Sequence, residues 1–480
     1  MRLRSLSAAA LITAALTSVS SAGADTFTSF GAGSRSIALA GSGAALNDNS
    51  SAVFSSPANM AFGEPGLDIG FVAAVNRLTI KLSPRPTGYD PPDLGSASPV
   101  VPYRYRLTAR RDPPRPPGVA GFSVGTTTSL GVSWLRLGVL LFLPVTGLGS
   151  QATYFSDERE QYFSNTLHAT LYGDQLSSEQ TMVAASFRLL PNLAVGGGMR
   201  FAIDSRSDAS VLQPDTTDQT RQYIDLHTST GFAVGALASA SGRLIHDRLR
   251  WSATFRDRTV SQVQGVSIVQ VNGFQGTTEY PFSQPMRFTL EYLPRQIVLA
   301  GAWQDQRWAA SLDATFSQWS DFHDEAGMPA GFHDTWTVAA GGEWRVDDLT
   351  RLRGGLGYRP TPVPNQDGRT NYVDNDMWIL GLGLTRELNI DDQHLDIAAF
   401  GQLQAAVPRT TRKRVLSQYP VCGDGVASLC DEVPDDTRAS AGSPPLAEAQ
   451  GLQTGNPGFP GFSSGGFVEV VGVELAWRYR

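Results

Sequence analysis

Several stretches of the chain alternate apolar and polar side chains with a period of two. Each runs for about nine to eleven residues, the length a tilted strand needs to cross a bilayer. Over 308–318, Trp308, Ala310, Leu312, Ala314 and Phe316 share one face, and Ser311, Asp313, Thr315 and Ser317 share the other. Over 336–346, Trp336, Val338, Ala340, Trp344 and Val346 oppose Thr337, Glu343 and Arg345. Over 193–204, Leu193, Val195, Met199, Phe201 and Ile203 oppose Arg200 and Asp204. A water-soluble sandwich alternates in a similar way. The tryptophans favour a membrane barrel: Trp308, Trp336, Trp344 and Trp477 sit near strand ends on the apolar face, where interfacial girdles lie.

The pattern therefore predicts an all-β chain, a transmembrane antiparallel β-barrel of about fourteen strands. The expected strands are 67–82, 119–128, 131–145, 179–189, 192–204, 222–241, 244–260, 285–303, 307–319, 334–346, 350–359, 376–388, 393–407 and 466–479. Short connections follow the even strands: Ser129-Leu130, Leu190-Pro191, Gly242-Arg243, 304–306, 347–349 and 389–392. Long ones follow the odd strands, the longest being 83–118 and 408–465. Short periplasmic turns and long extracellular loops are the barrel arrangement, so both termini are expected in the periplasm.

The first residues point to the same compartment. Arg2 and Arg4 precede the apolar stretch Leu6 to Leu16, and Ala22-Gly23-Ala24 offers a small-x-small cleavage site. Residues 1–24 read as a secretory signal peptide, whose removal takes the net charge from −7 to about −9. No run of about 18 apolar residues exists to form a spanning helix. Only two lysines occur, and an acidic chain without a basic stripe argues against nucleic acid as a partner. Cys422 and Cys430 are the only cysteines; in an oxidising compartment they are expected to close a small loop as a disulfide. Residues 25–66 precede the first strand, with 67–480 forming the barrel. This leading segment mixes small and apolar residues and ends in Pro57, which suits a plug packed inside the lumen, or else a mobile periplasmic extension.

Two motifs that suggest chemistry do not carry it. Gly121-Phe122-Ser123-Val124-Gly125 matches the nucleophile-elbow pattern, but that motif needs a strand-to-helix turn. Here the serine lies in a strand with no helix after it, so no catalytic residue is assigned. Asp321, His323, Asp324, His333 and Asp334 cluster around one outer loop and read as loop polarity rather than a metal site. No cofactor is implied. Arg200, Arg250, Arg256, Arg345 and Arg353 fall on lumenal faces. They are expected to be solvated or paired with neighbours such as Glu343 and Asp313. Alternatively, Arg200, Arg256, Arg345 or Arg353 binds a ligand carboxylate. Pro144 in the third strand, with Gly147 and Gly149 after it, marks a bulge, an edge or a strand end.

Three stretches resemble a known family, the long-chain fatty acid transporters of the outer membrane (the FadL-like group, which includes aromatic-hydrocarbon uptake channels). The first is 31–62, ending Ser56-Pro57-Ala58-Asn59 where the family has Asn-Pro-Ala. The second is Phe316-Ser317-Gln318-Trp319-Ser320-Asp321-Phe322. The third runs from His333 through Gly354-Gly355-Leu356-Gly357-Tyr358 and Thr361-Pro362-Val363-Pro364 to Asp374-Asn375-Asp376-Met377-Trp378. The chain departs from the family at Ser56, in a proline-rich first outer loop, and in ending Trp477-Arg478-Tyr479-Arg480. The resemblance implies a fourteen-stranded barrel with residues 25–66 as a hatch. It also implies a kink in the third strand that opens the wall at Pro144, Gly147 and Gly149. The implied function is passive uptake across a Gram-negative outer membrane. The ligand would be a long-chain fatty acid or a similar hydrophobic molecule, and the protein a monomer among outer-membrane lipid and lipopolysaccharide. Other classes are a barrel scaffold of a secretion system and an outer-membrane lipase.

Overall fold

A computed structural model describes residues 26–83, 112, 115–116, 118–145, 167–169, 171, 179–213, 223–271, 282–323, 329–365, 372–390, 393–413, 458 and 461–478. The expected signal peptide, Gly147, Gly149, Asp324, Cys422 and Cys430 lie outside these residues.

Seventeen strand segments form one sheet, and six of them join in pairs across short breaks, giving fourteen spans. They are β1 (Gly66–Asn76, continued by Thr79–Leu82), β2 (Val119–Thr128), β3 (Leu135–Pro144), β4 (Gln180–Leu190) and β5 (Leu193–Gln213). Next come β6 (Tyr223–Leu244), β7 (Leu249–Arg256, continued by Thr259–Val271) and β8 (Phe282–Leu293, continued by Arg295–Gln304). The remainder are β9 (Trp308–Gln318), β10 (Thr335–Arg345), β11 (Thr350–Arg359), β12 (Met377–Ile390), β13 (Gln393–Arg412) and β14 (Gly461–Arg478). Each span pairs antiparallel with the next, and β1 pairs with β14 from Gly66↔Arg478 to Asn76↔Val468, closing the barrel.

Closure follows from backbone chemistry. A sheet edge in hydrocarbon leaves a row of unpaired amides and carbonyls, each costing several kcal/mol. The alternation then sorts the side chains. In β9, Trp308, Ala310 and Leu312 are exposed while Ala309, Ser311 and Asp313 are buried. In β12, Trp378, Leu380, Leu382 and Leu384 point outward. Trp308 faces Trp344 across the β9–β10 ladder near the short-turn end. Phe316 meets Trp336, and Tyr358 meets Trp378, near the other end, with ring centroids 5.2 and 4.9 Å apart. Eight residues separate Trp308 from Phe316, roughly 26 Å of strand, or about 20 Å along the membrane normal at a tilt of about 40°. That spacing frames an apolar band of membrane height.

Outside the band the sequence reading falls short. The spans around the fifth to seventh are longer than expected, and the turn joining β6 to β7 lies at 245–248 rather than at Gly242-Arg243. Beyond Leu237↔Arg256, β7 leaves β6 and runs parallel to β5, from Val263↔Ser205 to Val271↔Gln213. Residues 223–232 of β6 are consequently exposed on both faces. The turn after β2 is also longer, 129–134, so β3 begins at Leu135. β13 continues to Arg412 and β14 starts at Gly461, which trims the expected loop 408–465 at both ends.

Pro144 ends β3, opposite Gly121 of β2, and the Val145 amide still donates to the Ala120 carbonyl at 2.7 Å. The β2–β3 ladder thus continues one residue past Pro144, and Gly147 and Gly149, the rest of the expected wall opening, lie outside the described residues. Alternate residues of a strand bond to opposite neighbours. The position of Val145 thus directs the donor that proline lacks towards β4. Among the described residues, the β3–β4 ladder ends at Phe142↔Gln180.

Leu382 is 63% exposed and lies midway along β12 between the two aromatic levels. Leu382→Arg is expected to destabilise the barrel by roughly 2–4 kcal/mol, the cost of an arginine at the bilayer midplane. Urea unfolding in lipid vesicles measures this, and a loss below about 1 kcal/mol would place the residue outside the apolar band.

Candidate functional site: a lumen divided by the N-terminal segment

Residues 26–62 form three short helices, α1 (Thr26–Phe30), α2 (Gly33–Ala38) and α3 (Ala52–Ser55), followed by a 3-10 turn, Pro57–Phe62. Pro57 opens that turn, where its missing amide hydrogen costs nothing. Helices this short are unstable alone. They are held by the lumenal wall from many sides. Phe27, Phe30, Ile37, Val53, Phe54 and Met60 are buried against barrel residues including Leu140, Phe142, Met182, Ile379 and Phe400.

Polar lumenal residues satisfy the backbone groups that such an irregular segment leaves open. Asp313 of β9 accepts hydrogen bonds from the Gly43 and Ala44 amides at 3.0 and 2.9 Å. Glu474 of β14 accepts from the Ser34 amide (3.0 Å) and hydroxyl (2.6 Å). Asp68 of β1 accepts from Ser50 N (3.1 Å) and from Arg478 (2.6 Å). Gln402 of β13 donates to the Phe30 and Ile37 carbonyls, both at 3.1 Å. Thr254 of β7 donates to Ser55 O (3.0 Å), and Ser42 Oγ lies 3.0 Å from Ser311 Oγ. The Ser56-Pro57-Ala58-Asn59 stretch is wholly buried. The Ala58 amide donates to Ser239 Oγ (2.7 Å), Ser186 Oγ donates to Ala58 O (3.0 Å), and Asn59 Nδ2 donates to Ala44 O (2.6 Å).

Close approach is made possible by glycines. Gly341, Gly355 and Gly381 are opposite one another on β10, β11 and β12, and α2 runs out against them. A Cβ at Gly381 would lie 2.5 Å from Ala38 O, and one at Gly355 would collide with the Leu39 backbone. At the lower end, Phe62 lies under the guanidinium groups of Arg243 and Arg188, 4.5 and 5.4 Å from its ring centre.

The arginines expected to meet a ligand mostly meet other groups. Arg353 pairs with Glu343 (3.3 Å), which also pairs with Arg35 of α2 (2.7 Å). Arg250 and Arg243 face Asp48 of the N-terminal segment at 3.8 and 3.5 Å. Arg200 bonds to Thr259 (3.0 Å) and the Asp257 carbonyl (3.4 Å) where β7 crosses to β5. The Arg345 amide bonds to Arg307 O by the β8–β9 turn, at the short-turn rim. Arg256 packs its guanidinium 3.9 Å from the Phe54 ring centre and donates to Phe54 O (3.2 Å) and Gln296 Oε1 (2.8 Å). Of the four arginines named as ligand candidates, only Arg256 lines the upper cavity. Ser123 is a buried strand residue opposite Gly70 and Phe142. His323 Nδ1 lies 2.9 Å from Asp321 O, and Asp334 accepts from the Ser320 amide (2.9 Å), as loop-ordering contacts do.

The segment lies between two cavities. One, of about 140 Å³, lies towards the long-loop end, between Phe27, Phe30, Phe54 and Gly41 on one side and β8–β10 on the other. The second, of about 250 Å³, lies towards the short-turn end and is lined by charge, including Arg35, Asp48, Arg351, Arg353, Glu474 and Arg478. Above the first, Tyr292, Trp319, Phe322, Phe332 and Val363 form an aromatic cluster. Beside it Arg359 pairs with Asp374 (3.4 Å); burial raises the pKa of this loop carboxyl, against the pull of Arg359.

A closed fourteen-stranded barrel with an apolar outer band and a filled lumen defines a class, the outer-membrane transport barrels. Residues 159–427, more than half of the chain, match the family model described as outer membrane protein transport protein (OMPP1/FadL/TodX), and the chain belongs to that family. It is therefore an outer-membrane transporter of hydrophobic molecules. Among solved structures it is similar to a FadL homologue of Pseudomonas aeruginosa, at 16% identity, 93% of this chain, 97% of that chain and a TM-score of 0.58, a likeness of fold. It also aligns with the toluene transporters TodX of P. putida (12% identity, 93% and 98% of the chains, TM-score 0.49) and TbuX of Ralstonia pickettii (13%, 93% and 98%, 0.48). No curated protein matches the sequence.

Asp313 is 3% exposed and bonds two amides of the segment. Asp313→Ala strands both donors, at a cost on the order of 1–3 kcal/mol each. Hydrogen exchange at Gly43 and Ala44 is expected to quicken at least tenfold while the barrel stays heat-resistant in detergent. Unchanged protection would show that Asp313 does not hold the segment.

Proposed function

We propose that the protein carries small hydrophobic molecules passively from the cell exterior into the outer membrane, with residues 25–66 acting as a movable hatch. The carrying observation is the position of the N-terminal segment, between an aromatic-topped upper cavity and a charged lower one. An apolar ligand gathered by the outer loops gains by entering the upper cavity and loses by entering the lower one. Release therefore requires the hatch to shift and a route that avoids the charged vestibule. A sideways exit into lipid near the end of β3 suits this chemistry. Pro144 supports it by offering no donor towards β4. Fatty acids and aromatic compounds both fall within this reading, and Arg256 is the expected arginine nearest the ligand. No chemical step or cofactor is needed, and the protein acts as a monomer surrounded by lipid and lipopolysaccharide. Lipolysis receives no comparable support, because Ser123 is a buried strand residue with no helix after it to form a nucleophile elbow.

The test locks the hatch. In a background with Cys422 and Cys430 replaced by serine, Ser42→Cys and Ser311→Cys are expected to form a disulfide, since their hydroxyls are 3.0 Å apart. Uptake of a labelled hydrophobic compound into reconstituted vesicles should fall at least tenfold when the bond forms and recover on reduction. Full uptake through the locked protein would overturn hatch movement.

A further inference from the structure

The upper cavity has a shape and chemistry of its own. Its volume of about 140 Å³ is close to the roughly 150 Å³ of an apolar cavity that admits one benzene ring. Pockets for drug-sized ligands span roughly 300–1,000 Å³. The hatch side presents the rings of Phe27, Phe30 and Phe54. The wall side presents hydroxyls in two cross-strand pairs, Thr315 opposite Thr337 and Ser317 opposite Thr335, all lining the cavity. Directly opposed residues sit about 4.5–5.5 Å apart at Cβ, so the four hydroxyls make a patch about the width of one ring. Ser317 Oγ accepts from Gln296 Nε2 at 3.1 Å, which fixes one corner.

A pure hydrocarbon pressed on that patch strips water from hydroxyls and returns no hydrogen bond, which is costly. A carboxylate meets a different obstacle. Arg256 is engaged with Phe54 O and Gln296, Arg359 with Asp374, and the carboxylate of Asp313 lines the same cavity. An anionic ligand would compete with these partners for the two guanidinium groups and sit near the like charge of Asp313. We infer that this cavity is a binding site for a neutral, single-ring aromatic molecule bearing one hydroxyl. The ring lies against the hatch phenylalanines and the hydroxyl bonds to the Thr315, Thr335, Thr337 and Ser317 patch. The inference rests on the transport reading and narrows its substrate class.

The test is calorimetric titration of the full chain in lipid nanodiscs with p-cresol, toluene and decanoate, subtracting empty discs. p-Cresol is expected to bind more tightly than toluene, and decanoate is expected not to displace it. Thr335→Val with Thr337→Val keeps the side-chain shape and removes two hydroxyls. It should weaken p-cresol about tenfold and leave toluene unchanged or tighter, since sites built around a ligand hydroxyl discriminate strongly for it. Thr315→Val with Ser317→Ala is the second variant, used if the first loses its heat-resistant barrel. Toluene binding as tightly as p-cresol, displacement by decanoate, or p-cresol affinity unchanged in a folded variant would each overturn the inference. Vesicle uptake separates the two readings. Uptake of toluene or decanoate without selective p-cresol binding sinks only the cavity assignment. Selective p-cresol binding without transfer sinks only the transport reading.

Discussion

In hydrocarbon, a backbone amide or carbonyl without a partner costs several kcal/mol, and this requirement shapes the whole molecule. It forces the strands into a closed ladder, with β1 joined to β14 over eleven register pairs. Closure creates a lumen, and β-strand alternation makes that lumen polar while the outside becomes apolar. The polar inner face is then what allows an irregular segment to be placed inside. Short helices and turns leave many open amides and carbonyls, and only a wall lined with carboxylates, amides and hydroxyls satisfies them.

Lumenal charge accordingly has a structural task here. Asp313, Glu474 and Asp68 act as acceptors for amides of the N-terminal segment. Glu343 joins Arg353 of the wall to Arg35 of α2. These contacts are polar and individually modest. Many such bonds together seat the segment against the wall. The large aromatic contacts of Phe27 and Phe54 lie at its upper surface and line the upper cavity.

The membrane-spanning part of this fold was legible because lipid imposes the period. Trp308, Leu312 and Trp344 are outward where alternation put them, and the closed barrel of fourteen spans follows the expected count. Outside the lipid nothing imposes that period. The outer half of β5 and the crossing of β7 onto β5 therefore left no readable trace, although the start of β6 was expected where it lies. The site was half legible. Thr315, Ser317, Thr337 and Asp313 fell on the polar face correctly, yet the role of Asp313 depends on residues about 270 positions earlier in the chain. The arginines were expected either to pair with neighbours such as Glu343 and Asp313 or to bind a ligand carboxylate; Arg353 does pair with Glu343, whereas Asp48, Thr259 and the Phe54 carbonyl are partners that sequence did not indicate. Pro144 marked a real irregularity, although alternation in hydrogen-bond direction turns its missing donor towards β4, which sequence alone does not reveal.

The central claim is that the N-terminal segment fills the lumen and separates outside from periplasm. Planar-bilayer conductance tests it directly by comparing the full chain with a variant lacking residues 26–62. The account predicts negligible steady ion current through the full chain and a large, stable conductance once the segment is removed. A full chain that conducts ions as freely as the deletion variant would contradict it.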